Sequence, residues 1–411
     1  MQLPLFRASA DQTQRQPVKS LAVLGCTGSI GDSTFQAISA APEQFDVKVL
    51  VAGKNWQKCA QLCERFRPQV VAMADEAAAA SLRQALAAQG QSQVEVLGGA
   101  AGCEQAASLP VDLCVAAITG IAGLEPVLSA IQAGSDIALA NKESMVCAGS
   151  LVMQRARARG VNILPIDSEH SALFQCLSGQ DLARVQDLIL TASGGPFRAM
   201  SATELMSVRV EDALAHPNWS MGSKVTIDSA TMMNKGLELI EAKWLFDVEP
   251  GQLSAVIHPP SIVHSLVRFS DGGFLAQLGE PSMLTPISFA LAYPHRMLLE
   301  QKAEQQDAAA SLANWGALTF QPVDRGLFPC FHLAEHAMAD SQGACVILNA
   351  SNEVAVDAFL AGSIGFVQIA QVVDETLEKL SAGGGQVDTL EAIRALDHRA
   401  REYAKHLINR D

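Results

Sequence analysis

The sequence predicts an α/β protein in three parts: a doubly wound parallel sheet, a central α+β domain and a C-terminal helix bundle. Three observations lead there. Short apolar runs alternate with helix-like stretches as far as about residue 166, and repeated β–α alternation implies parallel strands with helices on both faces. SDGG, at 270–273, then signals a hairpin between two strand-like runs. From Leu327 onward the apolar period is helical, and turns containing Gly separate most of the segments.

The elements follow in order. SLAVLG, VKVLVAG, QVVAMA, VEVLG, DLCVAAI, DIALA and VNILPI each read as a buried strand, with helices such as DEAAAASLRQALAAQG between several of them. LILTASGG is a strand ending in a glycine pair, and AVIHPPSIVHSLVRFSDGGFLAQLG holds further strand-like runs. TIDSATMMNKGLELIEAKWLF reads as one helix with an apolar stripe of Met233, Leu237, Ile240 and Trp244. The expected division is a disordered tail at 1–18, a sheet domain at 19–166, an α+β domain at 167–295 with a long loop at 193–223, a linker at 296–326, and a helical domain at 327–411.

Composition narrows the function classes. A chain of 411 residues exceeds one ordinary core. Its formal net charge of -14 argues against nucleic acid or an anionic membrane as the main partner. A small anionic substrate needs only a local basic pocket and stays open. The nine cysteines lack a CxxC and sit in apolar company, as reduced core residues of a cytosolic protein do. No apolar run reads as long enough to span a bilayer. The N-terminus lacks a secretory h-region and reads as a tail.

LAVLGCTGSIGDSTFQAI is a strand, a glycine turn and a helix. Gly25, Gly28 and Gly31 are spaced GxxGxxG, and such glycines let backbone approach a pyrophosphate whose charge a helix N-terminus favours. A purely structural tight turn is the plainer alternative. The next strand ends in Gly53, Lys54 and Asn55, where sites for NAD place an acid on the ribose. A cation there suits a 2′-phosphate, so NADPH is favoured over NADH; a solvated turn lysine explains the same residue. The first domain is therefore read as Rossmann-like.

Ligands of open parallel sheets bind beyond the carboxyl ends of the strands. Two of these ends are ANKE, with Asn141, Lys142 and Glu143, and PIDSEH, with Asp167, Ser168, Glu169 and His170. In an extended chain Asp167 and Glu169 share a side. Burying two carboxylates is costly unless they are paired or hold a cation, and oxygen-only ligands suit Mg²⁺ or Mn²⁺. Glu238 is a candidate third carboxylate, with Asn234 and Lys235 beside it at i, i+1 and i+4. A solvated polar helix face is the alternative. The loop at 193–223 carries Gly194, Gly195, a capping box from Ser201 to Glu204, His216, Trp219, Met221 and Gly222. That is the composition of an active-site lid, or of an ordinary surface loop.

Together GCTGSIG, AGKN, ANKES, PIDSEH, SGGPFR, HPNWSMG, DSATMMNKGLE, IHPPSIVHS and LNASNEVAV resemble, in order, the motifs of the 1-deoxy-D-xylulose 5-phosphate reductoisomerase family. The resemblance runs from about Lys19 to the last helix. It implies NADPH- and Mg²⁺- or Mn²⁺-dependent rearrangement and reduction of a phosphorylated ketose to 2-C-methyl-D-erythritol 4-phosphate, in isoprenoid precursor synthesis. It implies Asp167, Glu169 and Glu238 as metal ligands, with Lys142 next to the metal-bound end. It places the substrate on Ser168, Ser193, His216, Ser229, Asn234 and Lys235. Nucleotide positions are Thr27, Gly28, Ser29, Ile30, Gly53, Lys54, Asn55, Asn141, Glu143 and Gly222, and Trp219 and Met221 are lid residues. A cytoplasmic homodimer is implied as well. Cys26 and Pro260 stand where Ser and Gln are common in the family.

Three rivals are weighed against this. HLAEH, from His332 to His336, fits an H-x-x-E-H zinc pattern but lacks a clear third ligand. An NADPH-binding regulator without turnover needs a dead second site, which intact Asp167, Glu169, Glu238 and Lys142 oppose. A metal-free reductase differs in the metal-dependence of turnover.

Overall fold

The structure is a computed structural model that describes residues 17–215, 222–297, 299, 312–381 and 387–410. Packing divides the described chain into two compact units. The first takes 1–144, 152–171 and 282–312; the second takes 145–151, 172–281 and 313–411.

The first unit is built as β1 (Lys19–Leu24), α1 (Ser29–Ala40), β2 (Phe45–Ala52), α2 (Trp56–Phe66), β3 (Val70–Met73), α3 (Glu76–Ala88), β4 (Glu95–Gly98), α4 (Gly99–Ala107), β5 (Leu113–Ala116), α5 (Leu124–Ala133), β6 (Asp136–Leu139), α6 (Lys142–Arg159) and β7 (Ile163–Pro165). All seven runs expected as strands are strands, and every pairing among them is parallel. Leu21, Val23, Val49, Val71, Val115 and Ile137 are fully buried, which explains runs without alternation: helices cover both faces. The sheet order is β4-β3-β2-β1-β5-β6-β7. Its direction reverses between β1 and β5, the switch point at which open sheets bind ligands. Helix Leu284–Ala292 returns to pack on α1, β6 and β7. The Lys19 ammonium donates to Leu291 O at 3.0 Å and Tyr293 O at 2.8 Å, satisfying carbonyls at that helix's end.

After β7 comes α7 (Ser168–Leu177). The second unit then holds β8 (Val185–Ala192), α8 (Ala202–Leu205), α9 (Val210–Leu214), α10 (Ser223–Ala230), α11 (Met233–Phe246), β9 (Leu253–Ile257), β10 (Val263–Phe269), β11 (Phe274–Leu278) and β12 (Gln321–Pro322). Its sheet runs β11-β10-β8-β9-β12. The hairpin at SDGG joins β10 to β11, with Gly272 left-handed at φ +86°. Strand β8 pairs β9 in parallel, so the sheet is mixed. The short β12 lies in the stretch expected as linker and pairs with β9.

One expected helix is two. Thr231 ends α10: its hydroxyl donates to Ile227 O and Asp228 O at 3.2 Å and accepts from Met233 N at 3.3 Å. Met232 turns left-handed at φ +60° before α11 starts. Local side-chain bonds of this kind compete with helix continuation, and the apolar period carries no sign of it.

Helices Pro329–Asp340, Gln342–Leu360, Gln368–Ser381 and Leu390–Ile408 close the chain, at the four expected segments. Gln342–Leu360 corrects one expectation, because by length and composition it is apolar enough to cross a membrane. Its apolar window is 78% buried inside the fold, which makes it a core helix. All nine cysteines are free and buried.

Candidate active site

Between β1 and α1 the three glycines do different work. Gly25 is left-handed at φ +83°, and a Cβ there sits 2.4 Å from Ala117 O on the switch-point neighbour strand's end. A Cβ on Gly31 sits 2.4 Å from Cys26 O. These two serve close packing. Gly28 is the N-cap of α1, with no side-chain cap, and nothing stands closer than 3.4 Å to its Cβ position. The first N–H groups of α1, at Ser29 and Ile30, belong to a helix end without a side-chain cap, the geometry that favours an anion.

A cleft of about 310 Å³ opens on this turn, lined by Thr27, Gly28, Gly53, Ile118 and Thr119 among others. Its residues fit a dinucleotide, with backbone at the glycine turn and an apolar wall; Lys54, next in sequence to Gly53 of the lining, is exposed just past β2. Asn55 caps α2, accepting from Lys58 N at 3.1 Å. Lys58 was not singled out by the sequence. Its ammonium donates to Thr27 O at 3.0 Å and pairs with Asp32 at 2.7 Å, so it ties the glycine turn and the start of α1 to α2.

The end of β6 is a capped helix start. Asn141 accepts from Ser144 N at 2.9 Å and donates to Ile118 O at 2.5 Å, Gly120 O at 2.9 Å and Glu143 Oε2 at 3.2 Å. It thereby fixes a wall of the cleft. Lys142 Nζ lies 2.6 Å from Asp167 Oδ2, with both side chains mostly buried. The Ser168 hydroxyl donates to Glu169 Oε2 at 2.5 Å. Asp167 and Glu169 do not meet by strand alternation, since β7 ends at Pro165 and α7 begins at Ser168. The strand-to-helix turn brings their oxygens within 4.8 Å of each other. An all-oxygen donor set of this kind suits a hard cation such as Mg²⁺ or Mn²⁺.

In the second unit, the Ser193 hydroxyl accepts from Gly195 N at 3.2 Å. Gly194 and Gly195 are left-handed, at φ +80° and +64°, and a Cβ on Gly195 sits 2.8 Å from Ser229 O. The glycine pair therefore lets the loop after β8 close on the end of α10. The capping box of Ser201 and Glu204 is formed and starts α8. On α11, Asn234 donates to Glu238, and Lys235 forms an ion pair with the same carboxylate. Lys235 is 4% and Glu238 1% exposed, so this is no solvated face. Gly236 lets α11 close on helix Pro329–Asp340, where its Cβ position is 2.3 Å from Ala334 Cβ.

His264 is buried beside this group. Desolvation holds its imidazole below the usual 6.5, opposed by backbone hydrogen bonds at Glu280 and Gly279 that favour the charged ring, and assisted by the charge of Lys235. Its only sequence sign was its place in IHPPSIVHS. Gly222 is exposed and caps α10. His216, Trp219 and Met221 lie outside the described residues. In HLAEH, Glu335 is gripped by the Arg325 fork at 2.7 and 2.8 Å, and His332 and His336 are exposed and meet edge to face. Arg325 thus occupies the only carboxylate of that pattern.

Sheet order, glycine turn and cleft place the chain among dinucleotide-dependent α/β enzymes. Comparison with known proteins is more specific. Residues 21–149 match 1-deoxy-D-xylulose 5-phosphate reductoisomerase, 163–246 match its C-terminal domain, and 278–403 match the DXP reductoisomerase C-terminal domain. The 1-deoxy-D-xylulose 5-phosphate reductoisomerase of Pelotomaculum thermopropionicum is 46% identical over 95% of this chain and 100% of its own length. That of Tolumonas auensis is 46% identical over 95% and 98%. A crystal structure of DOX-P reductoisomerase in complex with NADPH, fosmidomycin and magnesium is 42% identical, with a TM-score of 0.88 over 95% of this chain and 98% of that one. The enzyme from Zymomonas mobilis in complex with NADPH is 40% identical, with a TM-score of 0.86 over 96% and 99%. The chain belongs to the 1-deoxy-D-xylulose 5-phosphate reductoisomerase family.

Proposed function

We propose that Asp167, Glu169 and Glu238 are the ligands of one divalent ion, and that Ser193, Ser229, Asn234 and Lys235 take the substrate's phosphate. The reaction is the NADPH- and metal-dependent conversion of 1-deoxy-D-xylulose 5-phosphate to 2-C-methyl-D-erythritol 4-phosphate. When bound, the ion supplies Lewis-acid polarisation of substrate oxygens and NADPH supplies the hydride. The observation that carries the assignment is the buried Glu238, held by Lys235 and Asn234 within one turn of α11. Burying a carboxylate is costly unless it is paired or holds a cation.

The protein's own groups orient and exclude. Lys142 fixes the Asp167 carboxylate through its ion pair, and Ser168 fixes Glu169 through its hydroxyl. Phosphate bound at Ser193 and Ser229 is remote from the reacting carbons, and its binding energy orients them. NADPH takes the cleft at the glycine turn in 19–166, with Lys54 toward the 2′-phosphate. His216, Trp219 and Met221 act as the lid that keeps water from the reacting end.

The homodimer is also part of this proposal. Strand β11 is a sheet edge with Phe274 55%, Leu275 40% and Leu278 37% exposed, a surface that edge strands ordinarily shield. Nine free buried thiols support a reducing, cytoplasmic setting. Net charge of -14 speaks against nucleic acid or an anionic membrane as the main partner and leaves a small phosphorylated sugar, which needs only a local basic pocket.

The test is NADPH oxidation with 1-deoxy-D-xylulose 5-phosphate and Mn²⁺, then with EDTA. Substrate-dependent oxidation that stops with EDTA is expected. Oxidation that survives EDTA leaves a metal-free reductase. No oxidation by folded, metal-loaded protein leaves a nucleotide-binding regulator.

A further inference from the structure

LNASNEVAV lies on the core helix Gln342–Leu360, and none of the roles above uses it. Two of its residues face α10. Asn352, fully buried, donates to Asp228 Oδ1 at 2.7 Å, and Asp228 is itself 1% exposed. Asp228 also pairs with Lys224 at 3.1 Å, one turn earlier on α10. Lys224 lies 4.0 Å from Glu353. Glu353 is held by Arg401 at 2.6 Å, and Arg401 grips Asp397 at 2.8 and 3.0 Å. Five charged groups and a buried amide thus run from the last helix to α10.

This chain does not serve the helix it grips. Lys224 stands in the first turn of α10 and Asp228 toward its end, so both charges oppose the helix dipole, and Lys before Asp at i, i+4 is the weaker order. Among the described residues the Oδ1 atoms of Asn349 and Asn352 have no hydrogen-bond partner. An apolar interface at these positions avoids all of these costs. Such local conflict is expected where position matters more than stability. What α10 positions is plain from its ends. The residue after Asp228 is Ser229, whose carbonyl abuts Gly195, two residues beyond Ser193. A shift of α10 along its axis changes the gap between the two seryl hydroxyls.

We propose that Asn352, Glu353 and Arg401 are positioning residues that set α10 in register, so that Ser229 stands at the spacing from Ser193 that a phosphate monoester requires. The proposal rests on the assignment of Ser193 and Ser229 to the phosphate. It makes the C-terminal helices a determinant of specificity for a phosphorylated over an unphosphorylated sugar, without touching either.

The test is steady-state turnover of Asn352→Leu and Arg401→Lys with 1-deoxy-D-xylulose 5-phosphate and with unphosphorylated 1-deoxy-D-xylulose. Loss of a hydrogen bond to a charged group is expected to raise KM for the phosphorylated sugar about tenfold. kcat stays within about twofold, KM for NADPH is unchanged, and kcat/KM for the unphosphorylated sugar is unchanged. Combined with Ser229→Ala, the Asn352→Leu effect is less than additive. Equal losses on both sugars, or a lower melting temperature with unchanged KM, overturn the positioning role. Arg401→Lys keeps the charge and loses the fork, and decides the matter if Asn352→Leu does not fold. A wild type that does not prefer the phosphorylated sugar overturns the phosphate assignment itself, and this proposal with it.

Discussion

The glycine turns after β1 and after β8 differ in what surrounds them. After β1 the site is backbone: Gly28 and the start of α1 face the cleft, and the charges nearby, Lys54 and the Lys58–Asp32 pair, are substantially solvated. After β8 the site is side chain: Ser193 and Ser229 are set by packing, and the adjacent Lys235 and Glu238 are almost wholly buried. A cofactor that enters and leaves intact is served by exposed backbone donors, which need no counter-charge. A site that orients reacting groups uses charges held in place by burial, and each of those depends on its partner.

That difference can be broken by removing one cation from each region. Lys235→Met leaves the Glu238 carboxylate buried beside an apolar chain, and a loss of about 3–5 kcal/mol in unfolding free energy is expected, read by urea denaturation. Lys58→Met removes a pair with its lysine 29% and its aspartate 59% exposed, and less than about 1 kcal/mol is expected in the same assay. Similar losses at the two sites would contradict the distinction.

Packing sharpens the comparison next. Gly31→Ala puts a methyl group 2.4 Å from the Cys26 carbonyl oxygen. A destabilisation of about 1–3 kcal/mol is expected, together with weakened NADPH binding measured by nucleotide fluorescence. The buried side-chain region also responds to pH. His264 is held below its usual 6.5, so the unfolded chain binds the extra proton first as pH falls. Stability therefore drops below about pH 6.5, by at most ~1.4 kcal/mol for each pH unit from this group. Denaturant melts across that range test it, with His264→Asn expected to flatten the profile. The smallest effect is at the exposed end: Lys54→Ala should cut the preference for NADPH over NADH by up to about fivefold, in paired KM measurements.

The two regions were also unequally legible in the sequence. Seven strand runs and a GxxGxxG spacing are local patterns, and the parallel sheet and its turn followed from them directly. The mixed second sheet did not, because parallel β8–β9 pairing joins segments with the helices α8 to α11 between them. The break at Met232 rests on the Thr231 hydroxyl, which no apolar period records. Asp167 and Glu169 lie close together, but a strand-to-helix turn, not the extended chain expected, brings them there. The polar triple on α11 reads as a solvated face by spacing alone, and only the resemblance to a family separated the two readings. Lys58 left no mark at all, since a lysine on an amphipathic helix is ordinary until its partner is known.

The most direct measurement is the Mn²⁺ dependence of NADPH oxidation for wild type and Glu238→Gln, with 1-deoxy-D-xylulose 5-phosphate saturating. If Glu238 is a ligand, the variant should need at least ~10–100-fold more Mn²⁺ and turn over far more slowly even then. The same Mn²⁺ dependence and the same rate in both proteins would contradict the assignment of Asp167, Glu169 and Glu238 to one ion.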